Sequence, residues 1–463
     1  MGRIGDWIES RTGAFRGLRL FMNEEVPASI GWRNTLGSVA GALMLVQIVT
    51  GILITIYYVP HPEAAYESLE WMAKNVTLGA FTRSLHYWGA SFAVVAVFVH
   101  MCRIVFTGAY RTPREMNWIT GLALFGVVIT LAYTGQLLPF NQMGYWAGTV
   151  GIEIASAAPI VGPDIRKLMM GGDTVGAMTL TRFYVLHIVV LPLLLGGLVV
   201  AHLYLLRRHG AMRYPSDTTS RMVSFYPAQF FRDMVAISFA LGGLALIAGT
   251  FGGPHAAPLN LADTAYQPRP EWYFLAHFEL LKLTHGEFQK VLVAFVLPMA
   301  VMLLLVALPW LDRGQSAAVR HRKSIVAAAT LLITAFIGLT AYGISKIESE
   351  DGDLQLAAAD APAPEDAGPA GVSNEIIELG RNVFRQQQCA KCHLVKGVGK
   401  DIGPDLSLAG VRLQEPFLRA WLKDPKSLKP DTIMPPVTIT GERFDALVTY
   451  LLSLKEYAPP PVE

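Results

Sequence analysis

Seven runs of about twenty or more mostly apolar residues recur along this chain of 463 residues. They lie at roughly 33–57, 84–108, 117–138, 182–206, 233–252, 290–310 and 324–345. A helix needs about 20 such residues to cross the hydrocarbon core of a bilayer. Composition agrees: charged residues make up 16% and hydrophobic residues 52%, against about 25% charged in an ordinary soluble protein. A disordered chain is excluded, and a multi-span membrane protein fits better than an ordinary soluble enzyme. The net charge of +2 implies no nucleic-acid partner, and three cysteines cannot form a disulfide scaffold. The opening residues lack the apolar core of a signal peptide. An amphipathic stretch at 13–22 suits the membrane surface ahead of the first span.

The expected fold is therefore all-α: a polytopic membrane protein with seven transmembrane helices and a small soluble α-helical domain. Residues 348–366 carry seven acidic and no basic residues among Ala and Pro, which reads as an extended linker. The boundaries are a 1–32 N-terminal segment, a 33–210 four-helix domain, a 211–346 three-helix domain, a 347–373 linker and a 374–463 soluble domain. An odd number of spans puts the ends on opposite sides. The N-terminal segment and the loops sharing its side carry 17 Lys and Arg against 8 in the opposite loops. The positive-inside bias puts the N-terminus in the cytoplasm and the soluble domain outside. That is the topology of a bacterial cytoplasmic membrane protein with a periplasmic domain.

Within the soluble domain, Cys389-Ala390-Lys391-Cys392-His393 is a C-x-x-C-H sequence, the pattern of covalent c-type haem attachment. Two thiols three positions apart reach both porphyrin vinyl groups, and His393 ligates the iron. Met434, in a Pro-rich segment, is the candidate for the opposite face; the competing reading is a core methionine. A His/Met pair suits a high-potential electron carrier. A zinc or thiol-redox site needs a second cysteine pair or a thioredoxin-like context, and neither is present.

Ionisable residues inside a bilayer are costly and usually functional. His86 and His100 lie in the second run, 14 apart; His187 and His202 lie in the fourth, 15 apart. Both spacings are near four helical turns, so each pair shares a face with a rise of about 21–23 Å. Two such helices facing each other can hold two non-covalent b-type haems, His86 with His187 towards the outside and His100 with His202 towards the inside. Bis-His iron has no open position, which suits electron transfer. Gly37 and Gly51 on the first run, and Gly121 and Gly135 on the third, repeat the spacing of 14. They clear space for a macrocycle between four helices; ordinary small-residue packing is the alternative. Arg83, Arg103 and Arg182 lie near the histidines and can pair with haem propionates or simply snorkel.

These features resemble the cytochrome b of quinol–cytochrome c oxidoreductases over about residues 20–345. Leu138-Pro139-Phe140-Asn141-Gln142-Met143-Gly144-Tyr145-Trp146 and Leu180-Thr181-Arg182-Phe183-Tyr184-Val185-Leu186-His187 carry the likeness. The histidine spacing of 15 and three later spans are similar to the short chloroplast-type cytochrome b joined to its small partner subunit, here with a fused monohaem cytochrome c. The resemblance implies that Pro270-Glu271-Trp272-Tyr273 lines an outer quinol-oxidation pocket, with Glu271 accepting a proton and Tyr273 beside it. A carboxylate near an apolar pocket can do this chemistry. At the inner quinone site the resemblance implies an acidic proton donor, here Asp233, with Arg207 and His209 as weaker candidates. Chloroplast-type chains tether an extra haem through a first-span cysteine; Thr35 stands there, and Cys102 reads as a buried thiol.

The implied function is quinol oxidation by a Q cycle with proton translocation. One electron leaves through a separate Rieske iron–sulfur protein, for which this chain has no Cys/His motif. The other crosses the two b haems to quinone. The fused haem would pass Rieske-derived electrons to a soluble cytochrome c or a terminal oxidase. A homodimer within a larger complex is implied. The rival is a dihaem anchor feeding a dehydrogenase's electrons to quinone; it leaves Glu271, the three later spans and the external haem domain unexplained.

Overall fold

The protein was analysed as a computed structural model. It describes all residues except 1–2, 173, 215–220, 255–256, 262–265, 267, 314–315, 361–373, 396–397, 400–402, 405, 408, 414, 429–431, 433 and 455–463. Among the described residues seven helices are long and apolar enough to span a membrane: Trp32–Thr55, Gly79–Thr107, Glu115–Leu137, Ala177–His209, Ala228–Phe251, Phe288–Leu311 and Lys323–Lys346. They are called the first to seventh spans. In lipid the backbone must satisfy its own hydrogen bonds, and the helix does so within one segment. Each span extends past its apolar run at one or both ends. The seventh helix itself runs from Lys323 to Asp360. Residues 347–360 are thus helical where an extended linker was expected; Ala, Leu, Glu and Gln favour helix. Residues 361–373 of the expected linker lie outside the described residues. The chain divides into two compact units, Met1–Leu259 with Pro268–Glu348, and Asn260–Gln267 with Ser349–Glu463.

Small and branched aliphatic side chains let the spans of the membrane unit close on one another. Ala40 and Leu43 of the first span, Ala93 and Ala96 of the second and Leu244 of the fifth share one cluster. Val94, Val127, Val128, Leu191 and Leu195 join the second, third and fourth spans in another. Shorter helices, Ala65–Asn75, Gln142–Ser156 and Gly162–Met170, flank the third and fourth spans. Leu69, Ile152 and Met170 from them pack on Leu137, Leu180 and Phe183. The Asn141 side chain caps Gln142–Ser156 by accepting from Gly144 N at 2.8 Å. The amphipathic stretch near the N-terminus forms the helix Ala14–Met22, and an unforeseen helix, Arg3–Thr12, precedes it. Strand Glu25–Pro27 pairs antiparallel with Met222–Ser224.

Two spans contain a single π-turn, at Leu186–Val190 and at Leu292–Val296. Each is followed by Leu-Pro, Leu191-Pro192 and Leu297-Pro298. A proline inside a helix cannot donate to the carbonyl four residues back, and its ring crowds that carbonyl. Widening the preceding turn relieves the clash.

One buried ion pair ties the sixth and seventh spans to the end of the second. Arg322, 1% exposed, precedes the seventh span. Its Nε donates to Asp312 Oδ2 at 2.6 Å, just past the sixth span. Its other nitrogens donate to Val105 O at 2.9 Å and Phe106 O at 3.1 Å, capping the second span. Tyr110 Oη donates to the same Asp312 oxygen at 2.7 Å. Gly108, at φ +70°, sits against the guanidinium, where a Cβ would lie 3.0 Å from Nη1.

In the C-terminal unit, helices Asn374–Gln386, Glu415–Lys423 and Glu442–Ser453 enclose Val383, Phe384, Leu418, Leu422, Phe444, Leu447, Val448 and Leu451. The first and last of these helices cross where Gly380 meets Ala446 O; a Cβ there would be only 2.0 Å away.

Replacing Arg322 by Met removes the nearest charged partner of buried Asp312 and leaves it only the Tyr110 hydroxyl and Arg111 Nε at 3.9 Å. We expect a loss of about 3–5 kcal/mol, read as a lower thermal midpoint of the detergent-solubilised protein. Adding Asp312→Leu should restore much of it.

Candidate functional site

The four intramembrane histidines each lie against a glycine of the neighbouring helix. A Cβ at Gly51 would lie 3.2 Å from His86 Cε1, and one at Gly37 3.2 Å from His100 Cε1. On the other pair of helices, a Cβ at Gly121 would lie 3.3 Å from His202 Cε1 and one at Gly135 only 2.7 Å from His187 Cε1. The reversed order of partners, 51 with 86 and 37 with 100, reflects antiparallel packing. The glycines were expected to clear a macrocycle; in the structure the space they leave is taken by the imidazole rings. Three of the rings also have a threonine at Nδ1. These are Thr50 at 2.9 Å from His86, Thr134 at 3.0 Å from His187 and Thr120 at 3.0 Å from His202.

The His86 and His187 ring centres are 6.4 Å apart with near-perpendicular planes. That gap accommodates one metal atom bonded to a nitrogen of each ring at about 2 Å. His100 and His202 are electrostatic neighbours at a second level. Among the described residues no three His, Cys, Asp or Glu side chains cluster as a bare-ion site. Two histidines alone suit a metal that brings its own equatorial ligands, as haem does. A cavity of about 630 Å³ adjoins the first level, lined by Gly51, His86, Gly135 and His187 among others. Gln47 Nε2 and both amide atoms of Gln136, which line the same cavity, are buried without a partner. At the second level His100 Nδ1, Arg103 Nε and Asn117 Oδ1 are likewise unpartnered. Buried unsatisfied polar atoms cost about 1–3 kcal/mol each, so both levels are built for a group with polar edges. Haem fits these residues.

The three arginines differ in placement. Arg83 lines the cavity, but its Nη1 donates to Glu70 Oε1 at 2.7 Å and Nη2 to Pro254 O at 3.4 Å. Arg103 lies beside Tyr214 and Arg33. Arg182 donates to Lys167 O at 3.1 Å and Leu168 O at 2.5 Å, satisfying the last carbonyls of Gly162–Met170 rather than lining the histidine cavity.

Glu271 and Tyr273 line the same cavity as His86 and His187. Glu271 precedes the helix Trp272–Lys282. Tyr87 Oη donates to its Oε2 at 3.3 Å. Burial lifts the Glu271 carboxyl above its ordinary value, and the Tyr87 bond partly offsets this. Burial, then the Glu271 charge, lifts the Tyr273 hydroxyl well above its own. Trp272 Nε1 donates to Ser91 Oγ at 3.1 Å, pinning the segment to the second span.

The inner-site candidates are not gathered into one pocket. Asp233 is buried and accepts from Gln229 Nε2 at 2.8 Å and from Ser38. Arg207 pairs with Glu24 at 3.5 Å. His209 lines a separate pocket of about 440 Å³ with Arg114, Arg213 and Met222.

In the C-terminal unit, Cys389–Lys391 form one 3-10 turn, and Cys389 packs on the core while Cys392 is exposed. His393 Nδ1 donates to Pro404 O at 2.8 Å, which leaves Nε2 bare for a metal. Met434 packs on the same core, and its Sδ accepts from Trp421 Nε1 at 3.0 Å. These donors fit a covalent haem held by the two thiols with His393 and Met434 on the iron.

The chain is 32% identical over 331 residues to the cytochrome b of Rickettsia bellii, covering 69% of this chain and 80% of that one. It belongs to the cytochrome b family. The family patterns described as Cytochrome b/b6/petB and Cytochrome b(C-terminal)/b6/petD match residues 21–210 and 258–354, and Cytochrome c matches 377–455. Cytochrome b6 of Heliobacterium modesticaldum is 38% identical over 207 residues, 44% of this chain and 97% of its own. The menaquinol:cytochrome c reductase cytochrome b subunit of Bacillus subtilis is 36% identical over 218 residues, 45% of this chain and 97% of its own. Among solved structures, a hyperthermophilic respiratory Complex III chain superposes with a TM-score of 0.66 at 27% identity, covering 73% of this chain and 91% of that one. This cytochrome b is therefore a membrane protein with cytochrome b and cytochrome c domains, both haem-binding.

Sequence reasoning missed Thr50, Thr120, Thr134 and Tyr87. The threonines had a readable signal: each directly precedes one of the spaced glycines. We expect Gly135→Ala to lose haem from the His86/His187 level, because its Cβ would meet the His187 ring. Gly41→Ala, with nothing within 4 Å, should keep full haem content. Difference spectra of purified protein check both.

Proposed function

We propose that this cytochrome b is the quinol-handling subunit of a proton-translocating quinol:cytochrome c oxidoreductase in a bacterial cytoplasmic membrane. Its N-terminus is cytoplasmic and its cytochrome c unit lies outside. Two b-type haems are held by His86/His187 and His100/His202, and one covalent c-type haem by Cys389, Cys392, His393 and Met434. When bound, these groups supply one-electron transfer. A Rieske iron–sulfur protein, a soluble cytochrome c or terminal oxidase, and a second copy of the chain are the partners.

The observation that carries this reading is a half-buried carboxyl opening into the cavity that also holds a facing histidine pair. Glu271 can accept a quinol proton within reach of the His86/His187 level. Its raised pKa brings proton affinity closer to neutral pH, which improves a general base. Tyr87 holds the carboxylate towards the cavity, and Tyr273 borders the same space. Apolar lining from Ile48, Leu131, Val189 and Leu195 suits a hydrophobic quinone ring and excludes water. On the opposite side Asp233 is the proposed proton donor. A passive dihaem conduit would have no use for a base at Glu271.

Glu271→Gln should lower quinol:cytochrome c reductase turnover by about 100-fold, with haem spectra unchanged. Unchanged turnover would favour the conduit. Glu271 acts when ionised, so activity falls as pH drops through its raised pKa. The acidic limb of the pH–rate profile should lie above the ordinary carboxylate range. Tyr87→Phe removes a bond that favours the ionised form and should move that limb to higher pH.

A further inference from the structure

Met434 stands in a stretch, 434–440, that has no regular secondary structure. Two bonds tie this stretch to the helix Glu415–Lys423. Val437 N donates to Leu422 O at 2.8 Å, and Trp421 Nε1 donates to Met434 Sδ at 3.0 Å. The indole is itself held by Phe417, one turn earlier, whose ring stacks on it with centroids 6.0 Å apart and planes 19° apart. One helix therefore holds both the backbone of the stretch and the sulfur.

An indole N–H only donates, and a thioether sulfur only accepts. That sulfur has two lone pairs. One can bond a metal while the other receives the N–H, so the contact with Trp421 does not compete with ligation. It does change the ligand. An N–H drawn against the second lone pair withdraws density from sulfur and makes it a weaker donor. A weaker donor stabilises ferric iron less, and the reduction potential rises. On His393 the bond acts the other way: its Nδ1 donates to Pro404 O at 2.8 Å, which makes the imidazole a more basic ligand.

We propose that Trp421 is a positioning residue of the cytochrome c unit, which holds Met434 Sδ in place as a ligand and raises the potential of the covalent haem through that sulfur. Phe417 orients the indole for this task. The proposal rests on the covalent-haem reading above, with Met434 on the iron.

The test is a redox titration of the c-type absorbance in the purified full-length protein, for the parent and for Trp421→Phe. Covalent haem content and the weak red absorption band of ferric iron bonded to a thioether are recorded in each. A parent without that band has no bond from Met434 to iron, which removes the ligand reading and the proposal with it. Trp421→Phe keeps a ring to stack on Phe417 and deletes the N–H. It should retain haem and band, with the c-type midpoint lowered and the b-type absorbance titrating as in the parent. A parental c-type midpoint with the band intact overturns the proposal. A residue that only packs gives another pattern, in which the band is lost. If Trp421→Phe loses the band, the parent grown on fluorinated tryptophan decides. Fluorine makes the indole N–H a stronger donor at almost unchanged volume, so the c-type midpoint should rise above that of the unlabelled parent. No rise overturns the proposal.

Discussion

An imidazole edge resting on a helix that has no side chain beneath it occurs four times in this protein, and the helix arrangement follows from that contact. At Gly135 a single added carbon would come within 2.7 Å of the His187 ring, so the third and fourth spans can sit at their observed separation only with glycine there. The first and second spans repeat this at Gly51 and Gly37. Because the glycines on each partner helix are 14 residues apart, two such contacts fix the relative height and rotation of each helix pair. The space between the two pairs is then left for cofactors, and the shorter helices and the Trp272–Lys282 segment close around it.

The Arg322 cluster does for the sixth and seventh spans what the glycines do for the bundle. One guanidinium reaches the end of the second span, the end of the sixth and the ring of Tyr110. The second span carries His86 and His100, so the segment bearing Glu271 is referenced to the same helix that carries these proposed ligands. Trp272 donating to Ser91 of that span strengthens the link. The proposed coupling of a proton acceptor at Glu271 to an electron acceptor at the histidine pair would draw on this shared framework, since both depend on close placement of one bound molecule.

Much of this was legible in the sequence, for reasons that differ by element. The seven spans were readable because a bilayer allows few alternatives to an apolar helix. The histidines were readable because ionisable groups are costly there, and the glycines because they repeat the histidine spacing. What the glycines face was not readable: hydropathy and spacing do not separate clearance for a ring from clearance for a macrocycle. The Thr50, Thr120 and Thr134 bonds escaped notice because threonine in an apolar helix usually bonds its own backbone, as these also do. Arg182 was placed near its histidine by sequence distance, but it serves the carbonyl end of a neighbouring helix that hydropathy does not align with it. Asp233, Arg207 and His209 depend on how a long connection folds, and their separate surroundings reflect tertiary contacts no local pattern encodes. The acidic stretch after the seventh span shows helix propensity prevailing over charge through Asp360.

The π-turn at Leu186–Val190 bears on how such chains vary in length. An α-helix advances about 100° per residue, so one inserted residue would swing every later side chain away from its partner. A π-turn takes up the extra residue locally. The 15-residue interval from His187 to His202 then delivers both rings to the same side, as the 14-residue interval does in the uninterrupted second span. The two histidine intervals, 14 and 15, thus meet at the same two levels because only the fourth span contains the wider turn between its histidines.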